Sequence, residues 1–270
     1  MTSPGVLRVA AAQAVSVSGD LVANVATAAR MAGRATDRGA RVVLLPEAFL
    51  TGYDRAAFGG PLPAADDLEG AWLDPLREVA LTRRAWLLVG TPLARGPVRT
   101  LSLLLVTPDG TVTAPYDKQH LSGPDETDFF DRGDHGATLS VDGVVLGLSI
   151  CYDGSFPEHA RAAADAGAHA YLNPAAFFRG AEHRRDLYTA ARALDNGMYA
   201  VLAGLTGRCG SGDFSGGSAV HDPEGRPLGR LGDEEGVVVA DIDPAVVEAT
   251  RAAHPMLADR TADLGRVLRC

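Results

Sequence analysis

GLSICYDGSFPEHAR, Gly147 to Arg161, is the stretch on which the reading of this chain turns. The run that leads into it, VVLGLSI (Val144–Ile150), is short, continuously apolar and rich in β-branched residues, the pattern of a buried strand. SFPEHAR predicts a helix start: Ser155 with Glu158 three positions on fits a capping box, and Pro157 suits a first turn. Cys151 then sits at the C-terminal end of a strand, the edge where α/β folds display reactive groups. A free cysteine is more often a small buried hydrophobe, so a nucleophile here needs support from elsewhere in the chain.

The 270 residues suffice for a sizeable core, and 46% hydrophobic with 22% charged is ordinary globular composition. A net charge of −9 argues against nucleic acid or anionic membrane as a partner held by bulk charge. No apolar stretch is long enough to span a bilayer. MTSPGVLRVAAAQAVSV lacks a basic leader, and Arg8 interrupts its apolar run, so a secretory signal is not expected. Cys151, Cys209 and Cys270 are too few and too scattered for a disulfide framework or a zinc site, and a reducing cytoplasm is the expected setting. Cys209, in the Gly-rich GRCGSGD, and Cys270, the last residue, are read as peripheral.

Strand and helix patterns alternate throughout. LRVAAAQ, RVVLLPE, AWLLVGTP and TLSLLLVTPDG read as strands. DLVANVATAARMAGRATDRG reads as a helix capped by Asp20 and stopped by Gly39, and LEGAWLDPLREVALTRR as a second, restarted near Pro75. ATLSVDG and VVLGLSICYD suggest a hairpin about Asp142-Gly143. HAYLNPAA predicts a strand, and EHRRDLYTAARALDNG a helix closed by Gly197. MYAVLAGLTG, GGSAVHDPEG and GVVVADID complete the strands. The mixture of crossovers and hairpins predicts a mixed sheet system with helices outside. With no linker, repeat or low-complexity tract, residues 1–270 read as one domain, with 244–270 as its C-terminal tail.

A cysteine nucleophile needs a base and a group that holds the developing oxyanion. Two other strand ends offer them: Glu47, after Pro46 in LLPEAFLTGY, and Lys118, in YDKQHL. Separately, each would pass for a surface residue. Together with ICYDGSFPEHAR they are similar, in order, to the glutamate, lysine and cysteine motifs of the nitrilase superfamily of carbon–nitrogen hydrolases. RALDN, FSGGSAVHDPEG and HPMLADRTADL extend the resemblance over nearly the full length.

The resemblance implies an α/β fold of the four-layer αββα sandwich type and a cofactor-free, metal-free hydrolase. Cys151 would be the nucleophile, Glu47 the general base and acid, Lys118 the oxyanion stabiliser, and Glu126, in SGPDETDFF, the second glutamate that orients the site. The backbone N–H of Tyr152 would complete the oxyanion hole. A neighbouring lysine is expected to lower the thiol from its free value of about 8.5. Tyr53, Phe177, Phe178, Arg184 and Arg185 are the candidates for substrate contact. Consecutive helical residues point about 100° apart, so at most one of the two arginines faces a pocket. His120 and His159 read as polar residues of a loop and a helix, not as ligands.

CYD followed by FPE resembles the aliphatic amidase and carbamoylase branches; true nitrilases carry tryptophan and glutamate after the cysteine. Branches that act on N-carbamoyl amino acids tend to carry arginines where Gly154 and Ser155 stand. The expected activity is hydrolysis of a small aliphatic primary amide to acid and ammonia through a cysteine thioester. An N-carbamoyl amine hydrolase and a non-catalytic scaffold are the alternatives. A small-molecule amide substrate and a homodimer or higher homo-oligomer, paired through the helices of SFPEHARAAADAG and EHRRDLYTAARALDNG, are the expected partners.

Overall fold

The computed structural model describes residues 5–261, 266, 268 and 269. Its strands are β1 (Leu7–Gln13), β2 (Val42–Leu44), β3 (Trp86–Arg95), β4 (Val98–Val106), β5 (Val112–Asp117), β6 (Ala137–Val141), β7 (Val144–Leu148), β8 (Ala170–Ala175), β9 (Tyr199–Gly204), β10 (Thr206–Cys209), β11 (Gly212–Ser215), β12 (Ala219–His221), β13 (Pro227–Arg230) and β14 (Gly236–Ile242). Its helices are α1 (Leu21–Thr36), α2 (Arg55–Gly59), α3 (Asp74–Arg83), α4 (Gly123–Thr127), α5 (Pro157–Asp165), α6 (Glu182–Asn196), α7 (Pro244–Ala253) and α8 (Met256–Asp259).

Two six-stranded mixed sheets result, ordered β14-β1-β2-β3-β4-β5 and β13-β12-β9-β8-β7-β6. In each, three central strands run parallel, β1–β2–β3 and β7–β8–β9. Their crossovers carry α1 and α3 in the first sheet, and α5 and α6 in the second. Side-chain alternation sets the layers. Leu7, Val9 and Ala11 of β1 join Leu146, Leu148 and Leu172 between the sheets, whereas Ala10 and Ala12 join Val25, Ala28 and Met31 of α1. On the far side, Tyr171 packs with Ala160 and Ala164 of α5. Helix, sheet, sheet and helix therefore stack as the four-layer αββα sandwich.

Local signals decide most of the boundaries. Asp20 accepts a hydrogen bond from the Ala23 N–H at 3.0 Å and starts α1. Gly197, at φ +54°, closes α6. Asp142 and Gly143 both have positive φ, as a two-residue hairpin turn between β6 and β7 requires. The capping box at Ser155 does not form. Cys151–Ser155 is a 3₁₀ turn, α5 begins only at Pro157, and Ser155 makes no capping bond. Pro157 explains the delay, because it holds the residue before it, Phe156, in an extended conformation (ψ 113°). Cys209 is not peripheral: it ends β10 and is fully buried against the core under α1. Cys270 lies outside the described residues. Among the described residues no helix is long and apolar enough to cross a membrane.

Candidate active site

Two reactive side chains stand at equivalent places, each three residues beyond a central parallel strand: Glu47 after β2 and Cys151 after β7. The Glu47 bend places Ala48 at φ +48° and lies directly on β3. The Gly90 N–H donates to Pro46 O (3.1 Å), and the Leu50 N–H donates to Gly90 O (3.3 Å). A Cβ on residue 90 would meet Pro46 O at 2.4 Å and Glu47 Cα at 2.6 Å. Glycine at 90 is thus what lets the bend seat itself.

Lys118 follows β5, its N–H donating to Leu101 O and its carbonyl accepting from Gly133 N, each at 2.8 Å. The ammonium donates to Glu47 Oε1 and Glu126 Oε1, both at 2.6 Å, and all three side chains are buried. Glu126 is fixed further by the Tyr53 hydroxyl on Oε1 (2.6 Å) and the Ser122 N–H on Oε2 (2.8 Å). Glu47 Oε2 has no hydrogen-bond partner among the described residues; the Cys151 thiol is the remaining group against Glu47.

Burial works against the Lys118 charge, but Glu47, Glu126 and Cys151 together outweigh it and hold the ammonium above its ordinary range. Burial also lifts the Glu47 carboxyl to about 7, with Lys118 opposing and Glu126 reinforcing the rise. The thiol moves opposite to the sequence expectation. Burial and the Glu47 carboxylate raise Cys151 well above a free cysteine, and Lys118 only partly offsets them. The thiol is therefore protonated at rest, with a carboxyl poised near neutrality beside it.

Cys151 has φ +46°, a conformation that costs a non-glycine residue about 1 kcal/mol or more. Its turn is gripped from three sides. Asp153 accepts from the Ile150 N–H (2.9 Å), the Tyr116 hydroxyl (2.6 Å) and the His120 N–H (2.9 Å). Asn173 of β8 donates Nδ2 to Cys151 O at 3.2 Å. Arg192 of α6 donates Nε to Gly154 O at 2.9 Å. His159 bridges the Tyr116 and Tyr171 hydroxyls (2.8 and 2.9 Å), so both histidines are structural polar residues. Tyr152 is second in the turn, where helical geometry leaves its N–H without a partner inside the turn.

Cys151 opens into a cavity of about 210 Å³ lined by Tyr53, Ser122, Tyr152, Phe177, Phe178, Arg184 and Tyr188, among others. Phe178 stacks on Phe214 (4.9 Å) and meets Tyr53 edge to face (5.9 Å), forming an aromatic wall. Arg184 is exposed at the mouth. Arg185 points away from the cavity: it is buried and bonds Ser215 O, Ser215 Oγ, Gly216 O and Asp186 Oδ1 at 2.8–3.1 Å. It does not line the cavity, and the acceptors on its Nε and Nη1 hold it away from the substrate, so it is not a substrate contact. Arg179 pairs with Asp213 and Asp233 on the surface.

The carbon–nitrogen hydrolase family model matches residues 8–252. The chain belongs to this family. Deaminated glutathione amidase of Escherichia coli O157:H7 is 32% identical to this carbon–nitrogen hydrolase, over 88% of the chain and 91% of the relative. An (R)-stereoselective amidase from a Pseudomonas species is 34% identical, over 81% and 79%. Among solved structures, an amidase of Nesterenkonia AN1 from the nitrilase superfamily superposes with a TM-score of 0.83 at 34% identity, covering 95% of this chain and 94% of that one. A variant of that amidase with the same score, identity and coverage carries the acetamide moiety of fluoroacetamide, covalently added at its active-site cysteine.

Tyr188, Asp153 and Asn173 are among the residues of the site that went unread in the sequence. Tyr188 was within reach, since it lies four residues after Arg184 and shares its helix face. Asp153 and Asn173 sit inside motifs whose neighbours drew attention, and nothing in their spacing says that they hold a turn. The bend at Glu47 yields a direct test. Gly90→Ala is expected to cost about 2 kcal/mol in urea denaturation and to abolish turnover. Activity near that of the unsubstituted chain would show that the bend tolerates displacement.

Proposed function

We propose that this carbon–nitrogen hydrolase cleaves a small aliphatic primary amide to the carboxylic acid and ammonia, through a thioester on Cys151. The observation that carries the reading is the wholly buried Lys118 ammonium between Glu47 and Glu126, set against the Cys151 thiol at one end of a small cavity. Amidase names among the relatives support it, as does the acetamide moiety on the neighbour's cysteine.

In this reading Glu47 takes the thiol proton as Sγ attacks the amide carbon. The carbonyl electron pair moves onto oxygen, which the Lys118 ammonium and the Tyr152 N–H receive. Glu47 returns the proton to nitrogen, the C–N bond breaks and ammonia leaves. Water then attacks the thioester, with Glu47 again as base, and the acid departs as the thiol re-forms. Loss of one oxyanion donor costs about 3 kcal/mol in such a step.

Screening amides, carbamoyl compounds and nitriles for ammonia release tests the reading. Cys151→Ala is expected to be folded and inert, and a slow amide is expected to add its acyl mass to Cys151. Turnover by the alanine variant would end the thioester mechanism, and carbon dioxide among the products would favour the carbamoyl alternative.

The pH profile follows from Glu47, whose carboxyl lies near 7. Only its ionised form accepts the thiol proton, so activity is lost as pH falls. kcat/KM is expected to rise through about pH 7 and to drop tenfold per unit well below it. A limb flat to pH 5 would exclude Glu47 as the base.

Arg184 supports an acidic amide, such as the mono-amide of a dicarboxylic acid, because it stands at the cavity mouth with no ion-pair partner among the described residues. Exposed pairs are worth up to about 1 kcal/mol. Arg184→Met is therefore expected to raise KM for acidic amides about fivefold and leave that for neutral amides unchanged. Equal KM changes for both would remove the arginine from recognition.

A further inference from the structure

We propose that Asn173 is a positioning residue for the oxyanion hole, acting through the peptide bond between Cys151 and Tyr152, with Gly154 as its obligatory neighbour. The inference rests on the amide hydrolysis proposed above.

Cys151 O and the Tyr152 N–H belong to one planar peptide group, so whatever fixes the carbonyl aims the N–H at its other end. From outside the 3₁₀ turn, Asn173 Nδ2 donates to that carbonyl at 3.2 Å. The bond also draws electron density toward the carbonyl oxygen, which makes the N–H opposite a better donor. This is the side chain's one hydrogen bond among the described residues. Asn173 is 94% buried, being 6% exposed, yet its Oδ1 has no partner. Leaving a buried amide oxygen unpaired costs about 1–3 kcal/mol, a cost that an apolar residue of the same shape would avoid. The reverse amide orientation would set Oδ1 against Cys151 O, two acceptors face to face.

Gly154 supplies an independent observation. A Cβ there would lie 2.1 Å from Asn173 Nδ2, and 3.4 Å from its Cγ. Any side chain at 154 therefore pushes the amide off the Cys151 carbonyl. Gly154 has no positive φ that would require glycine on its own account, so the room for Asn173 is what the glycine provides.

The test compares Asn173→Leu, Gly154→Ala and the double variant. Each single change is expected to lower kcat about tenfold to a hundredfold, with KM for the amide within twofold. The double variant is expected to be no slower than the worse single, because both remove the same bond. Butyraldehyde gives a readout that needs no turnover. Sγ bonds to its carbonyl carbon, the thiol proton passes to Glu47, and the carbonyl pair becomes an oxyanion facing the Tyr152 N–H. Its Kd is expected to weaken about tenfold in each variant. Unchanged kcat and aldehyde Kd in Asn173→Leu, or reductions that multiply in the double variant, would overturn the proposal. Where leucine prevents folding, Asn173→Ser and Gly154→Ala decide by the same measures. A chain inert to every amide but binding butyraldehyde more tightly than its variants defeats the hydrolysis reading and leaves this one standing.

Discussion

The burial of Lys118 is the constraint to which the rest of the site answers. Removing an ammonium from water costs several kcal/mol, and only opposite charge at close range offsets it. Glu47 and Glu126 both stand at 2.6 Å, one after β2 and one in α4. Glu47, 71 residues from Lys118, and Glu126, eight residues from it, must therefore meet at one ammonium. Loss of either carboxylate would leave a charge poorly compensated in the core. The Glu47 bend on Gly90 and the Tyr53 and Ser122 bonds to Glu126 serve that meeting.

Burial gives the site its chemical poise, and the two carboxylates limit how far the ammonium can offset it. Desolvation, reinforced by Glu126, lifts the Glu47 carboxyl to about 7, and desolvation with the Glu47 carboxylate keeps the Cys151 thiol protonated. A lysine beside a cysteine, taken alone, suggests a ready-made thiolate. The second carboxylate and the burial reverse that inference, so a base must take the proton as attack begins. The cysteine's own backbone is strained, and Asp153, Asn173 and Arg192 hold it from its own turn, the neighbouring strand and α6. The motif RALDN, whose first residue is Arg192, thus reaches the site from behind and not through the cavity.

Glu47, Lys118, Glu126 and Cys151 were legible as a group because each belongs to a motif at a strand end or loop start, and the motifs stand in family order. Short apolar runs announced the strands, the resemblance implied the two-sheet sandwich, and Asp20, Gly197 and Asp142-Gly143 announced their own caps and turns. The capping box at Ser155 misled, since Pro157 restricts Phe156 more strongly than a serine favours a cap. Arg184 and Arg185 looked equivalent in a line of text. Their helix turns one to the cavity mouth and the other onto the carbonyls of Ser215 and Gly216.

Local chemistry is what the amino-acid order by itself determined: the periodicity of strands and helices, the residues able to turn the chain, and the identity of the reacting groups. These depend on neighbours a few positions apart, whose geometry the backbone dictates. The tertiary structure alone decided the protonation of the thiol, the role of Asn173 and the need for glycine at 90 and 154. Desolvation, Coulomb interaction and steric exclusion depend on distance in space. Residue 151 reaches 47, 118 and 126 only once the two sheets have packed, whereas 90 meets 46 and 154 meets 173 as neighbouring strands pair within one sheet.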